Sequence, residues 1–167
     1  LMLSIARRIL ESDKFVRAGK YKCCEPMLLL GGDFKGKTLG IIGLGRIGLV
    51  VAERMGKGFG MKVLYYDVKP NPEFEKSIGA SYATVQEVLR NSDYVSVHVP
   101  LLPETKHLIG AKELATMKKT AYLVNTSRGP VIDEKALVAA LKKKQIAGAA
   151  LDVFENEPKL AQGLAQL

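Results

Sequence analysis

The apolar run Thr38-Leu39-Gly40-Ile41-Ile42 passes without a gap into Gly43-Leu44-Gly45-Arg46-Ile47-Gly48, and no other junction in the 167 residues limits the fold as tightly. A β-branched run followed at once by glycines, and then by a helical stripe, reads as strand, tight turn and helix. The stripe is Ile47, Val50, Val51 and Met55, which predicts a helix over 46–58. Each glycine has its own steric reason: Gly43 permits the turn, Gly45 leaves the backbone open to a close neighbour, and Gly48 lets helix and strand approach. The free N–H groups of such a helix start form a cradle for phosphate.

The alternation continues along the chain. Strands are expected at 38–42, 62–67, 81–83, 94–99, 121–125 and 146–153, with helices between them at 46–58, 73–78, 84–90, 111–117 and 134–144. Thr84 and Asp133 stand where N-caps belong, and Ala136, Leu137, Ala140 and Leu141 form the stripe of the last helix. Several strands are apolar almost throughout, as parallel strands covered on both faces must be. The expected architecture is α/β, a Rossmann-type doubly wound parallel sheet of about six strands. Ahead of it, residues 1–12 place Leu1, Ile5 and Ile9 on one helical face. Residues 13–37, punctuated by Gly19, Pro26, Gly31, Gly32 and Gly36, read as a connecting segment.

Composition removes other classes. Hydrophobic residues are 47% and charged residues 25%, the balance of a globular domain rather than a disordered chain. No apolar stretch is long enough to span a bilayer, and Arg7, Arg8 and Glu11 interrupt the start where a secretory signal would be apolar. Adjacent Cys23 and Cys24, far from His98 and His107, supply neither a disulfide framework nor metal-ligand spacing, so no metal is expected and a reducing cytoplasm is the default. The net charge of +8 could suit nucleic acid, but the cations are spread along the chain without interleaved aromatics, so neither a nucleic-acid nor a membrane partner is expected. The chain opens on Leu1 and ends without a terminator at Leu167, which reads as a fragment or a processed chain.

Five features fall just beyond expected strand ends, the edge where open α/β sheets bind ligands. The first is the Gly43–Gly48 turn. The second is Asp67, nineteen residues after Gly48, where a carboxylate accepts both ribose hydroxyls and repels a 2′-phosphate; this favours NAD over NADP. The third is His98-Val99-Pro100-Leu101-Leu102-Pro103-Glu104-Thr105, a stiff loop suited to a flat ring, with His98 itself read as a packed residue. The fourth is Asn125-Thr126-Ser127-Arg128-Gly129, with the only arginine after Arg90, a side chain whose planar fork suits a carboxylate. The fifth is Asp152-Val153-Phe154-Glu155-Asn156-Glu157-Pro158, whose three carboxylates could tune a neighbouring base.

These stretches, with Gly36–Ile42, Met117–Val124 and Ala147–Leu151, resemble the NAD-dependent D-isomer-specific 2-hydroxyacid dehydrogenases over nearly the whole chain, the glyoxylate reductase branch most of all. The resemblance implies an oxidoreductase that moves hydride between NAD(H) and the C2 of a small 2-keto or 2-hydroxy acid. It assigns Arg128 to the substrate carboxylate and Glu157 to the partner of a catalytic histidine. Cofactor contacts are assigned to Gly43, Gly45, Arg46, Ile47, Gly48, Asp67, Val99, Pro100, Thr105, Thr126, Ser127 and Asp152. It further implies an interdomain helix and linker at 1–31, an NAD-binding domain at 32–158, the return toward a missing substrate domain at 159–167, and a homodimer. The family's histidine lies in a Pro-His pair beyond the segment matching 160–167, so this chain alone is expected to hold cofactor without turning over substrate. The alternative is a non-catalytic NAD-sensing module like the C-terminal binding protein corepressors, which resemble the same fold.

Overall fold

Leu39, Ile41 and Ile42 have no exposed surface, so strand β1 (Thr38–Ile42) lies in the middle of a sheet covered on both sides. The other strands are β2 (Lys62–Tyr66), β3 (Ser81–Tyr82), β4 (Tyr94–Val97), β5 (Tyr122–Asn125) and β6 (Gly148–Leu151). All neighbours are parallel, in the order β3-β2-β1-β4-β5-β6 of a doubly wound Rossmann sheet. The helices are α1 (Met2–Ala6), α2 (Ile9–Arg17), α3 (Arg46–Glu53), α4 (Pro72–Ile78), α5 (Val85–Asn91), α6 (Ala111–Thr116) and α7 (Glu134–Lys142). This computed structural model describes residues 1–167 throughout.

The period of two divides β1 between two cores. Leu39 and Ile41 pack with Met2 and Ala6 of α1, Ala52 of α3 and Phe74 of α4. Ile42 packs on the opposite face with Val88 and Leu89 of α5, Leu114 of α6, and Leu137 and Ala140 of α7. Each of the larger side chains among these contributes about 1.5–3 kcal/mol on removal from water. Thr84 and Asp133 cap their helices as expected, accepting from the amides of Glu87 and Ala136 at 3.3 and 3.0 Å. Asn71 does the same for α4, whose first residue is Pro72, one position before the expected start. No helix is long and apolar enough to cross a membrane.

Several expectations are corrected. Residues 1–12 are not one helix: the chain breaks at Arg7 and Arg8, where Arg8 takes φ 53°, and α2 then runs on to Arg17. The buried face is Met2 and Ala6, while Leu1 and Ile9 of the expected face are half exposed. The returning chain explains this, because Gly32 donates its amide to the Ala6 carbonyl at 2.8 Å. Helix α3 is rotated for a similar reason. The small residues Gly48 and Ala52, with Met55, face the sheet, and Ile47 and Val50 stay exposed. Its last turn, Arg54–Gly58, winds as a π-helix. Strand β6 spans four residues rather than eight, since it is an edge strand paired only with β5. Strands β2 and β4 stop at Tyr66 and Val97, so Asp67 and His98 open loops rather than close strands.

Parallel packing aims helix N-termini at one edge of the sheet and C-termini at the other. Glu73, Glu87, Glu113 and Glu134 occupy first turns at the carboxyl edge. Lys37, Lys62, Lys119, Lys143 and Lys144, all exposed, lie before or at strand starts on the opposite edge. Both placements complement the helix dipoles.

Gly40 marks a close contact between β1 and α5. A methyl there would overlap Ser92 and come 2.7 Å from Val88 Cγ1 on α5. Gly40→Ala should lower the free energy of unfolding by about 1–3 kcal/mol. Gly58→Ala, in a helical turn where a methyl meets nothing within 4 Å, should leave it unchanged or raise it by up to about 1 kcal/mol. Urea unfolding of the two variants checks the contrast, and equal effects would refute it.

Candidate functional site

Gly43 has φ 97°, a conformation that side chains rarely adopt, and its amide donates to the Tyr66 carbonyl at 2.8 Å. A Cβ on it would come 2.8 Å from the Val99 amide nitrogen, and buried Val99 thus backs the turn. Gly48 is fixed as firmly, since a side chain would strike the Gly43 carbonyl. Gly45 is different: it is exposed, with nothing within 4 Å of where a Cβ would stand. It is the N-cap of α3, no side chain caps that helix, and its first-turn N–H groups stay available.

A cleft opens on each side of this turn. One, of about 570 Å³, is lined by Leu44, Asp67, Lys69, Pro70, Asn71, Pro72 and Glu73. Asp67 is immobilised at its mouth: Oδ2 accepts from the Leu44 amide at 2.7 Å and Oδ1 from the Val68 amide at 2.6 Å. The other, of about 590 Å³, is lined by Gly45, Arg46, Ile47, Val50, Val51, Arg54 and His98. The first cleft, opening from Asp67 beside the uncapped helix N–H groups, fits the adenosine end of a dinucleotide with its phosphates over the turn, while the second runs along the outer face of α3 to His98.

The loops after β4, β5 and β6 complete the edge. His98 is a packed residue, as expected: Ser96 Oγ and His98 Nε2 are 2.9 Å apart, and burial pushes its pKa below the ordinary histidine value. Thr105 turns inward, donating to the Pro100 carbonyl at 2.6 Å and accepting from the Leu102 amide at 2.8 Å; it fixes the loop that leaves Pro100 exposed. Ser127 is buried, with its amide and hydroxyl both donating to Asn125 Oδ1 at 3.0 and 2.8 Å. Asn125 Nδ2 donates to the Arg128 carbonyl at 3.0 Å. Thr126 and Arg128 are thereby left exposed, one guanidinium nitrogen of Arg128 donating to the Ser127 carbonyl at 2.7 Å. Asp152 is exposed beyond β6, and exposed Glu157 accepts from the Phe154 amide at 2.9 Å. Beside them, Gly129 has no room for a side chain against the Phe154 carbonyl, so two loops touch backbone to backbone.

The sequence reading missed the structural use of Asn125 and the burial of Glu134, which is 2% exposed. Asn125 lies inside a recognised motif, but nothing in its residue type tells an inward amide from an outward one. For Glu134, the pair Asp133-Glu134 at a helix start signals only a cap and a favourable dipole.

A family model described as "D-isomer specific 2-hydroxyacid dehydrogenase, NAD binding domain" matches residues 1–167. The chain belongs to that family. Among curated relatives, it is 55% identical to a glyoxylate reductase of Korarchaeum cryptofilum over 159 residues, covering 95% of this chain and 48% of that protein. It is 53% identical to a glyoxylate reductase of Thermococcus litoralis, covering 100% of this chain and 51% of that protein. Among solved structures, a glyoxylate reductase from Paecilomyes thermophila superposes with a TM-score of 0.88 at 43% identity, over 99% of this chain and 49% of that one. The holo form of Rhodotorula graminis D-mandelate dehydrogenase gives 0.89 at 38% identity, over 100% of this chain and 50% of that one. The chain spans about half the length of the curated relatives it matches. It matches the NAD-binding half of the D-2-hydroxyacid dehydrogenase architecture, a parallel Rossmann sheet.

The state of His98 has a measurable consequence. The folded chain resists the imidazolium, so the unfolded chain takes up the proton first as pH falls. The stability tied to a neutral His98 is present above the ordinary histidine pKa and is lost on acidification through the depressed folded value. Unfolding measured from about pH 8 down to about pH 5 should show this loss, and His98→Asn should remove that component. An unchanged slope in the variant would refute it.

Proposed function

We propose that this chain is the cofactor half of a reductase that passes hydride between NAD(H) and a small 2-keto acid, with glyoxylate as the foremost substrate. One observation carries the reading: Arg128, a lone exposed fork, and the exposed carboxylate Glu157 lie on the same sheet edge as the uncapped glycine turn. The bound nicotinamide supplies or accepts the hydride. Asp67 binds the adenosine ribose and, as a fixed carboxylate, disfavours the 2′-phosphate of NADP. The backbone at Gly45, Arg46, Ile47 and Gly48 receives the pyrophosphate, with Gly43 shaping the turn. Val99, Pro100, Thr105, Thr126, Ser127 and Asp152 shape the nicotinamide end. Arg128 binds the substrate carboxylate bidentately and draws electron density from the adjacent carbonyl.

The proton delivered to the C2 oxygen on reduction, and removed on oxidation, needs an acid–base group that the two histidines here do not supply. His98 Nε2 is engaged by Ser96 and His107 Nε2 by Glu155. Glu157 is positioned to pair with a histidine from outside these residues, which is the role the family resemblance gives it. Residues 32–158 form the cofactor domain, with 1–31 and 159–167 as its connections to a substrate domain. Exposed Leu1, Leu3, Ile9, Leu10, Met27 and Leu30 at the start of the chain suit a homodimer contact, and the setting is cytoplasmic. Nothing in the site or among these relatives supports the corepressor-type alternative.

Titration with both reduced cofactors tests the reading. NADH should bind more tightly than NADPH, and Asp67→Ala should narrow the gap; tighter NADPH binding would overturn the assignment. With NADH and glyoxylate, the chain alone should turn over about 10²–10⁴-fold more slowly than a two-domain relative. Comparable rates would sink the division of labour.

A further inference from the structure

Glu155 lies between the residues assigned to the cofactor and Glu157, and it touches two other loops. Its Oε1 meets His107 Nε2 at 2.7 Å, reaching the loop after β4. Its Oε2 accepts from the Glu134 amide at 3.2 Å, and its own amide donates to Glu134 Oε1 at 2.7 Å. The last two bonds run in opposite directions between the same pair of residues, so the β6 loop is pinned to the first turn of α7. Glu134 is 2% exposed and its Oε2 has no partner, a desolvation cost that a surface glutamate would avoid. His107 takes φ 51°, in the left-handed region that few residues other than glycine adopt, and its amide donates to the Pro130 carbonyl at 2.8 Å. A buried, half-satisfied carboxylate and a left-handed histidine both converge on Glu155.

We infer that Glu155, with His107 and Glu134 as its partners, is the positioning residue for the nicotinamide end of the site. It fixes the spacing of the loops that carry Pro100, Arg128 and Glu157, and touches neither the Gly43 turn nor Asp67. The inference rests on the cofactor reading above. It makes the two halves of a dinucleotide respond differently: the adenosine and phosphates rest on β1 and β2, outside the brace, and the nicotinamide rests on the braced loops. Glu155 is itself no contact of the reacting atoms.

The test compares NADH with ADP-ribose, which lacks the nicotinamide, on the 167-residue chain. Glu155→Ala should weaken NADH binding about tenfold while leaving ADP-ribose within about twofold. His107→Ala should weaken NADH in the same selective way. His107→Gln, which keeps a donor for Glu155, should restore binding to near that of the unaltered chain. Because His107 is more exposed than Glu155, its variants keep the test alive if Glu155→Ala fails to fold. Equal losses for both ligands would make the brace merely structural and overturn the inference, as would unchanged NADH binding in the alanine variants. Failure of the unaltered chain to bind either ligand would overturn the cofactor reading instead, and the inference with it.

Discussion

At the end of β1 the backbones of three strands come into van der Waals contact. The Gly43 amide is bonded to the carbonyl that closes β2, its α-carbon rests on the peptide that follows β4, and its carbonyl fills the space where a side chain of Gly48 would be. Atoms crowded this closely leave no freedom in where α3 begins. With exposed Gly45 as its N-cap and no side chain capping it, the helix start turns its N–H groups outward with nothing to cover them. The point of crowding is where the strand order reverses between β1 and β4, and for that reason a cleft opens on either side of it.

The remaining loops are specified by polar side chains that turn inward. Thr105 closes its own loop onto Pro100, and Asn125 holds both ends of the turn from Ser127 to Arg128. Such local bonds satisfy buried groups and fix a loop at the cost of one side chain each. Pro100, Thr126, Arg128, Asp152 and Glu157 are among the side chains this leaves exposed. Because these loops are ordered by folding, a ligand need not order them on arrival, which is how a preformed site gains affinity.

The sequence made the alternation of strands and helices legible because period and glycine spacing act locally. The Gly43–Gly48 motif and its strand-turn-helix setting were readable down to the reason for each glycine. So were the caps Thr84 and Asp133, where one side chain meets one amide three residues away. The stripe of α3 was misread in part because Ile47 and Val50 are apolar yet exposed, while the small residues Gly48 and Ala52 face the sheet beside Met55. Residues 1–12 were misread for a related reason, since the break at Arg8 and the burial of Ala6 depend on Gly32 returning from far along the chain. Roles set by tertiary partners, such as those of Asn125 and Glu134, leave no local trace. For Arg128 and Glu157, residue type alone left the role open, and the proposal for them rests on family resemblance.

The edge-to-edge division of charge, acids over helix starts and lysines beneath strand starts, gives the molecule a handle as well as a balance sheet of dipoles. A sulfonated bead or a negatively biased electrode attracts the edge bearing Lys37, Lys62, Lys119, Lys143 and Lys144 and repels the one bearing Glu73, Glu113 and Asp152. Orientation on a surface, commonly engineered with tags, is in this molecule written into the direction of its strands.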